Sequence, residues 1–462
     1  MTRREMLKAM PCSVAAFAAM QKNAGGNSDK PLGLEYLSKI RERFEKIKHS
    51  QSEELLEASY RIADTIMNGN SCYMDWVMGH RNDYDIFSGR TANPDIMNFG
   101  IPKRVDKGDL ILTDCFRPDL EKMHRDGAFL ISGPRTWSGN CIGAENLLPD
   151  VQKLLLKPFA DLWIENYATA YGAILHLPGE IAPIGAVAGA VGMVTYWMMV
   201  SDAARILTAN NVKFNVDGDG TGMGVGDVAV DLNRPLGDVY YQTMMEQHAA
   251  IDDEFDKIDR SARIAAKAAL NKGRVYIYSR HVNSLCAEGT VRRGGLGLIF
   301  GVYGPPDDLK LMDDPLQLGA ADLSFRPTDK DIVVMGITSP NDPEDIAALD
   351  IFKKAGMPTM AIGPSETNGV VPSGRTVAAE VDIHMGSMSD SNGLFALPGV
   401  DKKISPTSGF INNQIFWSLN CQIADVIIEK TGHAPGIFLS GAFKGGMERL
   451  YEVKRLFNER GY

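Results

Sequence analysis

The feature that most constrains the fold of this 462-residue chain is an internal repeat. Arg61-Ile62-Ala63 and the following His80 recur as Arg263-Ile264-Ala265 and His281, at offsets of 202 and 201 residues. A Leu-Pro-Gly tripeptide that begins at position 177 recurs at position 397, an offset of 220. A unit of this length has the size of a domain, whereas solenoid repeats have roughly 20 to 50 residues. The sequence therefore predicts a domain that occurs twice.

Within each copy, the hydrophobic pattern alternates between helix and strand periods. Apolar residues spaced by three and four positions from Ile251 to Ala269 predict an amphipathic helix. Continuous apolar runs predict buried strands at 109–113, 129–131, 275–278, 331–337 and 360–362. A cap, a proline and early acids at 341–345 predict the start of a helix, and Gly356 predicts its end. Alternating strands and helices predict an open parallel sheet covered by helices.

Composition narrows the classes of function. Asp and Glu (58) outnumber Lys and Arg (48), so the net charge is −10, and no local basic patch indicates a nucleic-acid partner. The six cysteines show neither the spacing of a zinc site nor that of a disulfide framework. The glycines between 218 and 226 do not form the dinucleotide fingerprint, and a calcium-like loop that starts at Asn215 lacks its glutamate. We therefore expect no metal, no cofactor and no nucleic-acid partner.

The first 28 residues are predicted to be a targeting segment. Arg3 and Arg4 precede the short apolar stretch Ala9–Met20, and small and polar residues follow it. This order is typical of an export signal, and the paired arginines resemble those of twin-arginine signals, which export folded proteins. We expect a periplasmic or extracytoplasmic protein. A cytoplasmic protein with a chance Arg-Arg pair is the alternative.

A second apolar segment, Ile181–Val200, has 20 residues without a charge and contains a Gly-x-x-x-Gly spacing. It is long enough to cross a bilayer. However, Pro183 lies near its start, and the corresponding segment of the other copy is polar. A buried core helix or a subunit-interface helix explains it better than a membrane span. We therefore expect no membrane span in the mature chain.

Several motifs resemble those of one bacterial family. They are Tyr36-Leu37 ahead of a helix and Gly79-His80, the run Arg292-Arg293-Gly294-Gly295-Leu296, and the closing segments Ser405-Pro406-Thr407-Ser408-Gly409 and Pro435-Gly436-Ile437-Phe438-Leu439-Ser440. This set is similar to the SIS (sugar isomerase) domains, a family that includes phosphosugar-binding proteins. The likeness covers about 400 residues and is strongest in the last 60.

The resemblance implies two tandem flavodoxin-like domains, each a three-layer α/β/α SIS fold around a parallel sheet. We expect a signal and linker at 1–28, a first SIS-like domain at 29–234 and a second at 235–462. Family members bind a sugar phosphate at the carboxyl ends of the strands, on a Ser/Thr-rich loop at a helix N-terminus. Such proteins often complete a site across a domain or subunit boundary, so we also expect a homo-oligomer.

The resemblance also implies a glutamate that moves a proton between two carbons and a histidine that opens the sugar ring. Glu288 is the candidate general base, since it follows His281 by seven residues, about two helical turns. His80 and His281 recur just after the first strand of each copy and are the candidate catalytic histidines. Structural roles remain open for all three: a solvated helix acid for Glu288 and strand-end caps for the histidines.

The expected ligand-binding loop departs from the family pattern. In place of a Ser-x-Ser-Gly-x-Thr run stands Thr338-Ser339-Pro340-Asn341-Asp342-Pro343-Glu344-Asp345, with three carboxylates. Each carboxylate at about 4 Å from a phosphate oxygen would cost roughly 1 to 4 kcal/mol. We therefore expect Thr338, Ser339 and Asn341 to contact an unphosphorylated sugar or an amino sugar. A second hydroxyl cluster either caps the next helix or also contacts the ligand, and it comprises Ser405, Thr407 and Ser408.

Two classes of function remain. The first is a SIS-type enzyme that binds a sugar or amino-sugar derivative and interconverts aldose and ketose by proton transfer. The second is a carbohydrate-binding protein without catalysis, since duplication followed by divergence often leaves a binding scaffold. The analogy with the family favours the enzyme.

Overall fold

A computed structural model describes residues 30–75, 92–113, 118–132, 143–152, 160–165, 167–218, 228, 230–279, 284–290, 294–312, 324–366, 372–389 and 393–462. The predicted signal therefore lies outside the described residues. The α-helices of the described segments are α1 (Leu32–Met67), α2 (Pro118–Arg125), α3 (Pro149–Gln152), α4 (Ala188–Ala209), α5 (Leu236–Ala249), α6 (Phe255–Leu270), α7 (Ser284–Gly289), α8 (Pro343–Lys354), α9 (Val377–Glu380), α10 (Ser408–Thr431) and α11 (Gly446–Arg460).

The strands of the same segments form two sheets and a hairpin. They are β1 (Cys72–Asp75), β2 (Asn98–Phe99), β3 (Leu110–Thr113), β4 (Phe129–Ser132), β5 (Leu162–Trp163), β6 (Ala173–Leu175), β7 (Ile184–Ala186), β8 (Val275–Ser279), β9 (Ile299–Tyr303), β10 (Lys310–Leu311), β11 (Ile332–Gly336), β12 (Thr359–Gly363) and β13 (Ile383–Gly386). β6 and β7 pair antiparallel as the hairpin.

The two sheets share one strand order. The five-stranded sheet has the order β2-β1-β3-β4-β5 and is parallel throughout. The six-stranded sheet has the order β10-β9-β8-β11-β12-β13, in which only the edge strand β10 is antiparallel. Without β10, both sheets place their first strand between the second and the third, as flavodoxin-like folds do. The predicted α/β class with parallel sheets is confirmed, while the domain boundaries stay predictions.

The strongest local signals of the sequence correspond to observed elements. The five predicted strands are β3, β4, β8, β11 and β12. The predicted amphipathic helix is a 3₁₀ turn at Ala250–Glu254 followed by α6. The predicted helix start is correct at Asp342, whose side chain caps α8.

A buried aspartate fixes the start of each sheet. Asp109, just before β3, accepts a hydrogen bond of 2.9 Å from the backbone N–H of Ser71, which precedes β1. Asp331, just before β11, accepts one of 2.7 Å from the N–H of Arg274, which precedes β8. Each aspartate also accepts a 2.7 Å hydrogen bond from the amide three residues before it. The same contact therefore aligns the first and third strands of both sheets.

The N-terminus of α5 is capped by a side chain of α4. The Asp202 carboxylate accepts hydrogen bonds from the N–H groups of Leu236 (2.6 Å) and Gly237 (3.1 Å), and it pairs with Arg205 at 3.0 Å. A Cβ at Gly237 would lie 2.7 Å from the carbonyl oxygen of Met198, so glycine allows this close approach. Burial raises the pKa of Asp202, and the Arg205 guanidinium and the helix amides oppose that shift.

The N-terminus of α1 is capped in the same way by α10. Gln422 accepts a hydrogen bond from the N–H of Gly33 (3.2 Å), and Asp425 accepts one from the N–H of Leu32 (3.3 Å). A Cβ at Gly33 would lie 2.8 Å from the carbonyl oxygen of Ser418. The helix that precedes each sheet is thus capped by the long helix that follows the other sheet.

The uncharged segment Ile181–Val200 contributes the hairpin strand β7 and the first half of α4. Every residue of α4 from Ala188 to Leu207 is buried. No helix in the described ranges combines the length and the apolar character that crossing a bilayer requires. The α4 part of the segment is therefore a buried core helix, one of the two alternatives that the sequence favoured over a membrane span.

His248, in α5, is a fully buried histidine between two aromatic rings. The centre of its imidazole lies 6.4 Å from that of Phe44 and 5.9 Å from that of Phe410. Burial lowers the pKa of His248 to about 3, and the positive charge of Arg41 acts in the same direction. The imidazole is therefore neutral in the folded protein at physiological pH.

We expect the free energy of unfolding to fall as the pH decreases from 6.5 towards 3, because the unfolded chain then binds a proton at His248 and the folded chain does not. This group contributes about 1.4 kcal/mol per pH unit. His248→Leu should remove that part of the slope in urea titrations at a series of pH values. His433→Gln, at an exposed position, is the control and should keep it. Equal slopes for wild type and His248→Leu would contradict the assignment.

Asp331→Ala should destabilise the six-stranded sheet, because it removes the acceptor for the N–H groups of Arg274 and Thr328 and for the Thr328 hydroxyl. We expect a loss of about 2 to 4 kcal/mol in the free energy of unfolding, measured by urea titration. Asp329→Ala, at an exposed position nearby, should change it by less than about 0.5 kcal/mol. Similar losses for both variants would show that Asp331 does not hold the strand start.

Candidate functional site

The strands β11, β12 and β13 end at one edge of the six-stranded sheet, because they run parallel to each other. Open α/β sheets bind their ligands at this carboxyl edge. The loop after β11, the segment after β13 and the first turns of α10 bring polar side chains to it: Thr338, Ser339, Asn341, Ser387, Ser389 and Asn412.

Asn412 joins α10 to the ends of two strands. Its Nδ2 donates a hydrogen bond of 3.2 Å to the carbonyl oxygen of Ile337, directly after β11. Its Oδ1 accepts one of 3.4 Å from the hydroxyl of Ser389, which follows β13. The hydroxyls of Ser389 and Ser387 lie 2.7 Å apart. Asn412 and Ser389 are buried, at 5% and 2% exposure, so these contacts are protected from bulk water.

The carbonyl oxygen of Gly363, at the end of β12, completes the connection. It accepts a hydrogen bond of 3.0 Å from the N–H of Ser387. It also accepts one of 2.9 Å from Nε2 of His384, which lies in β13. The whole set is called the carboxyl-edge network here, and it comprises Ile337, Gly363, His384, Ser387, Ser389 and Asn412. It links the ends of all three strands to α10.

The loop between β11 and α8 contains the predicted ligand residues Thr338, Ser339 and Asn341. Thr338 and Asn341 are exposed and Ser339 is half-buried. The Ser339 hydroxyl donates a hydrogen bond of 3.0 Å to Oδ1 of Asn341. Because Thr338 directly follows Ile337, this loop adjoins the carboxyl-edge network. The predicted residues of this loop therefore lie at the edge where a ligand is expected.

A carboxylate occupies the N-terminus of α8. Oδ1 of Asp342 accepts hydrogen bonds from the N–H groups of Glu344 (2.9 Å) and Asp345 (3.1 Å). These are the backbone donors that a phosphate would use at a helix N-terminus. In this structure they are bonded to the protein's own negative charge.

The three other predicted ligand residues lie just before α10 or in its first turn. Ser405 has a left-handed backbone conformation (φ 66°), and its N–H donates a 3.0 Å hydrogen bond to the carbonyl oxygen of Ala92. Its hydroxyl lies 2.7 Å from that of Ser201 in α4. Thr407 and Ser408 are buried at the start of α10. Ser405 therefore faces α4, and a ligand role for the three hydroxyls stays a prediction.

The contacts described above do not include the predicted catalytic side chains. His80 and His281 lie outside the described residues. The backbone of Glu288 lies in α7, which follows β8, but its side chain is outside the described part. The described helix begins at Ser284, three residues after His281. Their catalytic roles stay predictions.

Polar groups at the start of the long helix are specific to the second copy. At the offset of 220 that relates the Leu-Pro-Gly tripeptides, Asn412 corresponds to Gly192. At the same offset, Thr407-Ser408 corresponds to Val187-Ala188. The start of α4 therefore lacks the hydroxyl and amide side chains that stand at the start of α10.

No three His, Cys, Asp or Glu side chains come together as a metal site within the described ranges. The described side chains of the carboxyl-edge network supply hydroxyl, amide and imidazole groups. His384, Ser387, Ser389 and Asn412 were not identified as site residues from the sequence. A signal that the sequence offered was the pair Ser387 and Ser389, which follows the short strand β13.

Comparison with known proteins gives resemblances of limited depth. No family model matches the sequence. UPF0309 protein GK1441 of Geobacillus kaustophilus is 27% identical over 240 residues, which cover 48% of this chain and 94% of that protein. A structure of a candidate sugar-binding protein from Salmonella typhimurium LT2 shares 10% identity over 84% of this chain and 98% of its own, with a TM-score of 0.43. A candidate phosphosugar isomerase from Silicibacter pomeroyi DSS-3 shares 12% identity over 88% and 100%, also with a TM-score of 0.43.

Asn412→Ala should loosen the carboxyl edge, because it removes the donor to Ile337 and the acceptor for Ser389. We expect the free energy of unfolding to fall by about 1 to 3 kcal/mol in urea titrations. Asn458→Ala, at an exposed position of α11, is the matched control and should be close to neutral. An unchanged stability of Asn412→Ala would show that the network does not hold the strand ends.

Proposed function

We propose that this protein binds a sugar or amino-sugar derivative at the carboxyl edge of the six-stranded sheet. The observation that carries the proposal is the carboxyl-edge network, which holds hydroxyl and amide groups beside the Thr338–Asn341 loop. A sugar presents hydroxyl groups that both donate and accept, and pockets recognise them with a few fixed polar groups. The resemblance of the sequence motifs to SIS domains supports the same class of ligand.

We propose further that the ligand has no phosphate group. The Asp342 carboxylate is bonded to the two amides that would otherwise be available to a phosphate. A phosphate at this place would be repelled by the carboxylate. It would also lack the two N–H donors and the attraction of the positive end of the helix dipole, because Asp342 already uses them. An uncharged sugar avoids that repulsion, and an amino sugar gains an attraction.

The proposed chemistry is aldose–ketose isomerisation by proton transfer, as the resemblance to sugar isomerases implies. Isomerisation needs an acid–base group near the bound carbonyl and no external oxidant. The alternative is a non-catalytic carbohydrate-binding protein. Because the start of α4 is apolar, we infer that the carboxyl edge of the six-stranded sheet is the functional one of the two sheet edges. This inference is compatible with both the enzyme and the binding protein.

Two further predictions of the sequence are kept as proposals. Residues 1–28 would direct export, which suits an unphosphorylated sugar because sugar phosphates are mostly intracellular. The chain would consist of two SIS-like domains, at 29–234 and 235–462, that assemble as a homo-oligomer. The shared strand order of the two sheets and the paired contacts of Asp109 and Asp331 support the duplication.

Calorimetric titration of the full chain tests the binding proposal. We expect saturable binding of D-glucosamine or D-glucose at millimolar concentration and no detectable binding of glucosamine 6-phosphate. Ser339→Ala should weaken the binding of the unphosphorylated sugar, since it removes a hydroxyl from the loop. Tight binding of glucosamine 6-phosphate that is lost in Ser339→Ala would contradict the proposed ligand class.

Asp342→Ala should change the selectivity of the site, because it frees the amides of Glu344 and Asp345 and removes a negative charge. We expect glucosamine 6-phosphate to gain affinity relative to D-glucosamine, at a cost of about 1 kcal/mol in the free energy of unfolding from the lost helix cap. Asp350→Ala, at an exposed position of α8, is the control for a general change in charge. An equal gain in phosphate affinity for both variants would exclude a specific role of Asp342.

A further inference from the structure

The imidazole of His384 reaches the carboxyl edge through a hydrogen bond to Gly363, and this hydrogen bond selects one tautomer. The residue is half-buried in β13, and its Nε2 is 2.9 Å from the carbonyl oxygen of Gly363. A carbonyl oxygen only accepts hydrogen bonds, so Nε2 must carry the hydrogen atom. In a neutral imidazole, Nδ1 then has the lone pair and can accept a proton.

Two charged side chains act on this imidazole from the neighbouring elements. Glu254, in the 3₁₀ turn before α6, accepts a 2.7 Å hydrogen bond from the N–H of Gly386 and pairs with Lys257 of α6 at 2.9 Å. Burial lowers the pKa of His384; Lys257 lowers it further and Glu254 opposes this. The imidazole is therefore neutral near pH 7, as a general base must be.

The Gly363 carbonyl connects His384 with the rest of the site. The same oxygen accepts the N–H of Ser387, whose hydroxyl continues through Ser389 to Asn412. The imidazole thus belongs to the network that lines the edge proposed to bind the sugar.

We propose that His384 is the proton-transfer group of this site, with Nδ1 as the base, in place of Glu288. The inference rests on the proposed sugar-binding function and adds the identity of the group that moves the proton. Gly363 is its positioning partner, because it fixes the tautomer that leaves Nδ1 unprotonated.

The step conserves all atoms and electrons. Nδ1 removes the proton from the carbon next to the carbonyl group of the open-chain sugar, and the electrons of that C–H bond form the C=C bond of an enediol. The imidazolium then returns the proton to the former carbonyl carbon. In D-glucose, a proton also moves from the hydroxyl oxygen of that carbon to the carbonyl oxygen, so the carbonyl group is exchanged between neighbouring carbons without an external oxidant. In D-glucosamine the same first step gives an enaminol, and return of a proton to the same carbon exchanges its hydrogen without isomerisation.

Solvent exchange tests this assignment. The full chain is incubated with D-glucose and D-glucosamine in D₂O, and NMR measures the replacement of hydrogen by deuterium at the carbon next to the carbonyl group. His384→Gln keeps an N–H that can reach the Gly363 carbonyl but has no base. We expect it to slow the exchange by about 10² to 10⁴-fold and to leave sugar binding, measured by calorimetry, within about threefold. His433→Gln is the control and should exchange like wild type.

The exchange rate of wild type should also fall only below the ordinary histidine pKa of 6.5, since burial lowers the pKa of His384. Exchange at the wild-type rate in His384→Gln, or loss of exchange only in Glu288→Gln, would overturn the assignment and leave the binding proposal intact. Binding without exchange in wild type would also overturn it, in favour of the non-catalytic alternative. Absence of sugar binding would instead remove the proposed function, and the assignment with it.

Discussion

The N-termini of two helices, α1 and α5, depend on caps that other helices of the fold supply. The first amides of a helix have no partner within it, so a buried helix start needs acceptors from elsewhere. Asp202 of α4 supplies them to α5, and α10 supplies them to α1 through Gln422 and Asp425. These contacts hold α4 against α5 and α10 against α1. The start of α10 is held at the carboxyl edge by the hydrogen bonds of Asn412.

Much of the fold could be predicted where the signal is local. β11 and β12 are uninterrupted apolar runs, and the cap of α8 was visible at Asp342. β13 was not predicted, because polar His384 interrupts its short apolar pattern. The Pro-Leu-Gly tripeptide at the start of α1 and of α5 could not be interpreted from the sequence. Its glycine is required by a close contact with another helix, which only the fold shows. The export signal and the two domain boundaries stay predictions.

The candidate site also has one part that the sequence predicts and one part that it does not. The Thr338–Asn341 loop could be predicted because it follows a strand and precedes a helix cap. The carboxyl-edge network could not, because its hydrogen bonds join residues 75 and 23 positions apart in the sequence. In the sequence, Asn412 is one of several amide residues in a largely apolar helix, and the fold places it between β11 and β13. The roles of His80, His281 and Glu288 stay predictions.

The caps of α1 and α5 also bear on the order in which parts of the chain can fold during synthesis. A ribosome completes α1 long before it reaches α10, so the amides of Leu32 and Gly33 must remain hydrated until almost the whole chain has emerged. The α5 cap, in contrast, joins segments only 34 and 35 residues apart and can close early. Docking of the start of α1 onto α10 is thus a late event in the folding of the newly made chain.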